Sequence, residues 1–176
     1  MDSRTNRTGA TMITQFQPIT STPQRVSYSR LALRTVVWKF REVEDVPITF
    51  KREPIRCPAD LFGNYRFMFD DETVEKFVVF ALNSGNVVQV AETISTGLLN
   101  TSLTHPREVF RYAVVNSAAS IILAHNHPSG NPDPSQEDIH ITKQLTESGK
   151  ILGIPVHDHI IFTKGGFASF AERGLL

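Results

Sequence analysis

Apolar residues in this chain come in short blocks closed off by turn-forming residues, the rhythm of strands with helical stretches between them. The strongest block runs from Glu75 to Leu82. Phe77, Val78, Val79 and Phe80 are all strand formers, and their unbroken apolar run predicts burial on both faces. Asn83-Ser84-Gly85-Asn86 then reads as a turn, with Val87 to Ile94 as the antiparallel return strand. Pro106 suits the first turn of a helix that continues to about Asn116. Ala118 to Ala124 follows as a short buried strand, after which Pro128, Gly130, Pro132 and Pro134 forbid regular structure and stiffen a loop. The next helix starts after Ser135, an N-cap with Asp138 three residues on, and is expected to reach Ser148 with Gly149 as its C-cap. Asp158 to Phe162 and a stretch around Phe167 to Phe170, joined through Gly165-Gly166, close the pattern as two strands. Upstream, Cys57 to Met68 reads as a short helix that packs Leu61, Phe62 and Phe67. Leu31 to Phe40, centred on Val36, Val37 and Trp38, reads as a strand, and Val46 to Pro54 as a further extended piece.

The order strand, strand, helix, strand, helix, strand, strand predicts an α/β (α+β) domain, a mixed sheet flanked by helices. Neither a dinucleotide-binding glycine motif nor a P-loop is present, and no internal repeat is visible. The domain is placed at residues 54–176. Residues 1–26, rich in Ser, Thr, Gln and Arg, are expected to be disordered, and 27–53 to form a short extended extension.

Composition changes this picture little. The chain has 176 residues, enough for one full core. Its single cysteine, Cys57, excludes an internal disulfide and a four-cysteine zinc site, and reads as a buried or inert thiol. A reducing compartment, the cytoplasm, is the expected location. The longest apolar runs are far too short to cross a bilayer, and no apolar segment follows Arg4 and Arg7, so neither a membrane span nor a signal peptide is expected. Net charge is zero but uneven: residues 1–59 carry ten Lys/Arg against five Asp/Glu, and the remainder eight against thirteen. A basic N-terminal third suits a polyanion or a partner's acidic face.

The chemistry concentrates in His125-Asn126-His127-Pro128-Ser129-Gly130, followed by Ser135 and Asp138. In an extended segment His125 and His127 leave the same face of the chain. Asp138 sits on the first turn of the next helix, where the rigid loop can return its carboxylate to the two imidazoles. Two histidines and a carboxylate with one position left open is the pattern of catalytic rather than structural zinc. Each residue alone has a plainer reading, since Ser135 can be only an N-cap and Asp138 can simply satisfy helix N–H groups. A hydrolase also needs a base for the metal's water. Glu75, at the opening of a buried strand, is the first candidate, with Glu72, Glu92 and Glu108 as rivals that spacing does not separate. In His157-Asp158-His159, Asp158 and His159 read as braces for the sheet or for a ligand imidazole rather than the three as a second metal site.

A histidine-x-histidine-proline run, seven intervening residues before Ser135 and two more before Asp138 resembles the JAMM signature of the JAB/MPN metalloprotease superfamily. Together with His105-Pro106-Arg107-Glu108-Val109, Asp158-His159-Ile160 and the closing Ser169-Phe170-Ala171-Glu172-Arg173-Gly174-Leu175-Leu176, residues 54–176 resemble its bacterial RadC-like branch. The resemblance implies a JAB1/MPN-like, cytidine-deaminase-like sheet, with Zn2+ on His125, His127 and Asp138. It implies Glu75 as general acid/base and Ser135 as a hydrogen-bond donor to the attacking water or the oxyanion. Members with this site cut amide bonds in peptide or protein substrates, some of them isopeptide-linked modifiers. The branch takes its name from an association with DNA repair, and its members commonly carry an N-terminal helix-hairpin-helix region. Here the residues before 54 are too few for that region, so the chain resembles the short, core-only form, or a fragment. Two other readings stand beside the hydrolase: a DNA-binding accessory protein with a non-catalytic metal site, and a metal-dependent nuclease, against which the sparse Lys/Arg around the motif counts. Deaminase chemistry lacks its cysteine ligands. An exposed edge strand would offer a route to a homodimer.

Overall fold

The computed structural model describes residues 52–97 and 104–176. The strand expected at Leu31 to Phe40, most of the piece at Val46 to Pro54 and the disorder expected over 1–26 lie outside the described residues.

The described order is α1 (Pro58–Tyr65) with a 3-10 turn at Arg66–Met68, β1 (Lys76–Leu82), β2 (Val88–Thr96), α2 (Pro106–Val115), β3 (Ser120–Asn126), α3 (Gln136–Leu152), β4 (Val156–Thr163) and β5 (Gly166–Ser169). The strands form one sheet in the order β2-β1-β3-β4-β5. β3 and β4 are parallel and every other pair is antiparallel, so the sheet is mixed as expected. Only the parallel pair needs a long crossover, and α3 supplies it.

Both faces of the sheet are covered, which explains the unbroken apolar runs of β1 and β3. Phe77, Val79, Ala81, Ile121 and Leu123 pack with Val109, Phe110 and Ala113 of α2 and Ile141 and Leu145 of α3. Their alternates Val78, Phe80, Leu82, Ile122 and Ala124 pack with Leu61 and Tyr65 of α1 and with Phe69, Ile160 and Phe162. At about 25 cal/mol per Å² of apolar surface removed from water, burial on two faces makes β1 and β3 the thermodynamic centre of the fold.

One helix boundary departs from expectation. α3 continues through Gly149 and stops at Leu152, capped by Gly153 in the left-handed region at φ 70°. Gly149 is buried in the helix because the chain packs against it: a Cβ there would lie 2.5 Å from the carbonyl oxygen of Ile154. Its glycine character serves close approach, and Gly153 serves the turn. Cys57 is exposed immediately before α1, not buried.

Candidate metal centre

The site forms at the C-terminal end of β3 and the N-terminal end of α3, the crevice where parallel strands and their crossover helices commonly bind ligands. β3 reaches Asn126, two residues past its expected end, so His125 is held in the ladder opposite Phe77 and Ile161. Its imidazole faces the α2/α3 side and is wholly buried. His127, just beyond the strand, is half-buried; its backbone N–H still donates to Phe162 O at 2.9 Å. The proline-rich loop then delivers Ser135, and the expected capping box is present. Asp138 N–H donates to Ser135 Oγ (3.1 Å), while Ser135 N–H donates to Asp138 Oδ2 (2.7 Å). Capping of this kind stabilises a helix start by about 1 kcal/mol.

Three side chains converge. His125 Nε2 lies 2.9 Å from His127 Nε2 and 3.4 Å from Asp138 Oδ1, and His127 Nε2 lies 3.5 Å from Asp138 Oδ2. Three ligands held tetrahedrally at ordinary zinc bond lengths sit roughly 3.3 Å apart. His127 Nδ1 is 2.7 Å from Asn131 O, an atom that only accepts, so Nδ1 carries a hydrogen, and in the neutral ring Nε2 offers a lone pair to the centre. Aiming such groups at one point is repulsive unless a cation sits among them. Among the described residues this is the one group of His, Cys, Asp or Glu arranged to hold a metal.

The electrostatics agree. Burial raises the Asp138 pKa, but attraction to His125 and His127 and the Ser135 hydrogen bond outweigh it and hold the carboxyl well below the usual carboxylate range. The positive end of α3 adds to the same preference. Burial pushes His125 down against the pull of Asp138. His127 is shifted up by its contact with Asp138, against burial. An ionised carboxylate and a neutral His125 are the forms a metal needs.

The structure brings Glu75 near this group: its charge favours the protonated forms of both His125 and His127. Two rivals are engaged elsewhere, Glu72 with Lys76 at 2.8 Å and Glu108 with Arg107 and Arg111. The Glu75 backbone is held on three sides. Gly97 N–H donates to its carbonyl oxygen at 2.7 Å. Asn126 Oδ1 accepts from Lys76 N–H (2.7 Å), and Asn126 Nδ2 donates to Val74 O (3.0 Å). Asn126, the middle residue of the His-x-His run, was not singled out from the sequence; its signal was its place between two ligands. Ser135 also donates its hydroxyl hydrogen to Asp138 Oδ2 at 2.7 Å.

His157, Asp158 and His159 do not converge. His157 is exposed. Asp158 pairs in register with Ile122 on the α1 side, where it accepts hydrogen bonds from the main-chain N–H of His159 and of Ala171 and from Ser169 Oγ. His159 lies on the other side, with Nε2 2.8 Å from Nδ1 of His125 and Nδ1 in contact with Thr142 Oγ1. The bracing role expected of Asp158 and His159 is what the structure shows. Thr142 was missed, because a threonine inside a helix carries no distinguishing signal.

Beside His127 a cleft opens between Phe62, Phe69, Phe162, Asp70, Glu72 and Lys164. No helix among the described residues is long and apolar enough to cross a membrane.

Residues 55–175 match the family model of the RadC-like JAB domain. A UPF0758 protein of Desulforamulus reducens is 51% identical over 122 residues, 69% of this chain and 54% of that protein. A UPF0758 protein of Salinibacter ruber is 46% identical over 136 residues, 77% of this chain and 58% of that protein. A third, from Methanosarcina barkeri, is 43% identical over 131 residues, 73% and 57% of the two chains. The chain thus spans a little over half the length of these relatives.

Proposed function

The chain belongs to the family of RadC-like JAB domains, and from that premise we propose that it is a zinc-dependent hydrolase of the JAMM type. Its sheet is read as the JAB1/MPN-like, cytidine-deaminase-like arrangement. Its reaction is read as the cleavage of an amide bond, peptide or isopeptide, in a protein or peptide substrate. The observation that carries this reading is the convergence of His125 Nε2, His127 Nε2 and the Asp138 carboxylate. Those three residues would hold the ion. Zinc bound there supplies a Lewis acid, lowering the pKa of a water toward ~7 and polarising a carbonyl.

This chain's own residues do the rest. Glu75, half-buried and held by the clasp of Asn126 on its neighbours, takes the proton from the attacking water and returns it to the departing amine. Ser135 donates to the developing oxyanion. Its one hydroxyl hydrogen points at Asp138 here, so this service needs a turn of the hydroxyl about the Cβ–Oγ bond, after which the Ser135 N–H still supports Asp138 Oδ2.

Cleavage of peptide and isopeptide-linked fluorogenic substrates by zinc-loaded protein tests the reading. Glu75→Gln should abolish turnover while retaining one zinc per chain. Undiminished turnover in that variant would remove Glu75 from the mechanism, and no turnover in the native chain on any amide substrate would remove the hydrolase.

A further inference from the structure

We propose that Thr142 and His159 are positioning residues that fix the hydrogen of His125 on Nδ1 before any metal arrives, so that Nε2 is presented as a bare ligand nitrogen. The inference rests on the metal-site reading above, and goes beyond it by assigning the residues that set one ligand's tautomer.

The direction of each hydrogen bond follows from one atom that can only accept. Thr142 Oγ1 lies 2.6 Å from the main-chain carbonyl oxygen of Asp138, one turn earlier in α3, and touches His159 Nδ1 on its other side. A hydroxyl has one hydrogen, and the carbonyl cannot donate, so the hydrogen goes to Asp138 O. Oγ1 then meets His159 with a lone pair, and His159 Nδ1 must carry a hydrogen to donate to it. The His159 ring is wholly buried, with ring centroids 5.5 Å from Phe77 and 4.6 Å from Phe170. Among the described residues no carboxylate touches the ring, so the neutral form is the one this environment accepts. A neutral His159 with its hydrogen on Nδ1 turns a lone pair on Nε2 toward His125, 2.8 Å away. His125 Nδ1 is therefore the donor, and His125 Nε2 faces His127 and Asp138 without a hydrogen.

The chain of bonds starts on the residue that also supplies the carboxylate. Asp138 gives its side chain to the centre and its carbonyl to Thr142, so the seating of α3 sets the anionic ligand and the state of the buried imidazole together. His127 reaches the same tautomer by one bond to a loop carbonyl, Asn131 O. Free imidazoles favour the hydrogen on Nε2, the arrangement that blocks this site, so both ligands are held in the less favoured form.

Two-bond 1H–15N correlation spectra of the metal-free full chain, at mildly alkaline pH, read the tautomers directly. The expected result is hydrogen on Nδ1 in both His125 and His159; hydrogen on Nε2 of either ring overturns the proposal. Thr142→Val, close in shape but without the hydroxyl, should lower zinc affinity by about 10–100-fold in competition with a chromophoric chelator. It should also shift His125 toward the Nε2–H form. Thr142→Ser restores the hydroxyl and should restore both readouts, which a packing role for the threonine methyl would not do. Native zinc affinity in folded Thr142→Val, or no recovery in folded Thr142→Ser, also overturns it. Should the valine variant not fold, the spectrum of the native chain decides alone. None of these readouts uses hydrolysis, so a chain that shows the tautomers, binds zinc and cuts no amide would retire the hydrolase and leave this inference standing.

Discussion

Asp138 and Asp158 are both buried carboxylates, 2% and 6% exposed, yet they sit on opposite faces of the sheet and do opposite things. Each has a serine hydroxyl on Oδ2, from Ser135 at 2.7 Å and from Ser169 at 2.6 Å. Each also accepts main-chain N–H groups. At Asp158 both oxygens are consumed by neutral donors of β4, β5 and the closing turn. Burial raises its pKa, and those hydrogen bonds recover only part of the shift. At Asp138 the helix cap occupies Oδ2 and leaves Oδ1 facing His125 Nε2, with His127 close by, and the pKa moves the other way. Burial therefore does not distinguish a structural acid from a functional one. The distinction lies in where the last lone pair points.

Exchanging each acid for its amide should break the symmetry most strongly. Asp138→Asn keeps an oxygen for the helix cap but removes the anionic ligand. Zinc affinity should fall by about 100-fold or more, beyond the effect of losing an outer partner, while metal-free stability changes by about 1 kcal/mol. Asp158→Asn turns an NH2 group toward donors that need an acceptor and should cost about 2–4 kcal/mol in denaturant unfolding. It should still bind one zinc. Loss of zinc by a folded Asp158→Asn would mean that the two regions are one.

The next difference is in pH dependence, measured on metal-free protein. His125 and His159 are depressed by burial from 6.5, so the stability they carry is full above 6.5 and is lost as pH falls toward their folded values. Each approaches a slope of ~1.4 kcal/mol per pH unit within its window. His127 is raised, so its contribution is full below 6.5 and is lost as pH rises through its folded value. Asp158 is raised from 3.8, which places its effect at more acid pH, favouring the folded state below 3.8 and fading as pH rises. With two depressed imidazoles against one raised, stability should drop on acidification below 6.5. Asp158→Asn should leave that slope in place, and His159→Gln should flatten it. A profile flat across the histidine range would mean that neither buried imidazole resists protonation.

Most of the metal side of this comparison was legible in the sequence, because metal ligands need particular residue types at particular spacings. His125, His127 and Asp138 converge as expected, and Ser135 caps α3 as its distance from Asp138 required. The strands of the domain were legible through their apolar runs. What escaped notice depends on contacts between elements. Two glycines stand four apart at the end of α3, and local signals serve either as a cap. The approach of Ile154 O decides that Gly149 stays in the helix. Thr142 and Asn126 are ordinary residues until β4 and β1 arrive beside them. Asp158 was read as a brace, but two of its three donors come from residues 169 and 171, which no local pattern ties to it.

The finest test pairs the two serines. Ser169→Ala removes the hydroxyl from Asp158 Oδ2 and also the acceptor of Glu172 N–H at 3.1 Å, so two polar groups lose a partner. The expected cost is about 1–3 kcal/mol in stability, with zinc affinity unchanged. Ser135→Ala removes a cap hydroxyl but leaves the backbone N–H of residue 135 on Asp138 Oδ2, so the helix should lose about 1 kcal/mol. Its distinctive effect is on the metal: with one of two supports gone, the carboxylate is less firmly aimed, and zinc affinity should fall by about 10-fold. Equal stability losses with zinc affinity untouched in both would show that Ser135 serves its helix alone. A fall confined to Ser135→Ala would show that the capping box, a device for starting a helix, also aims the carboxylate at the metal.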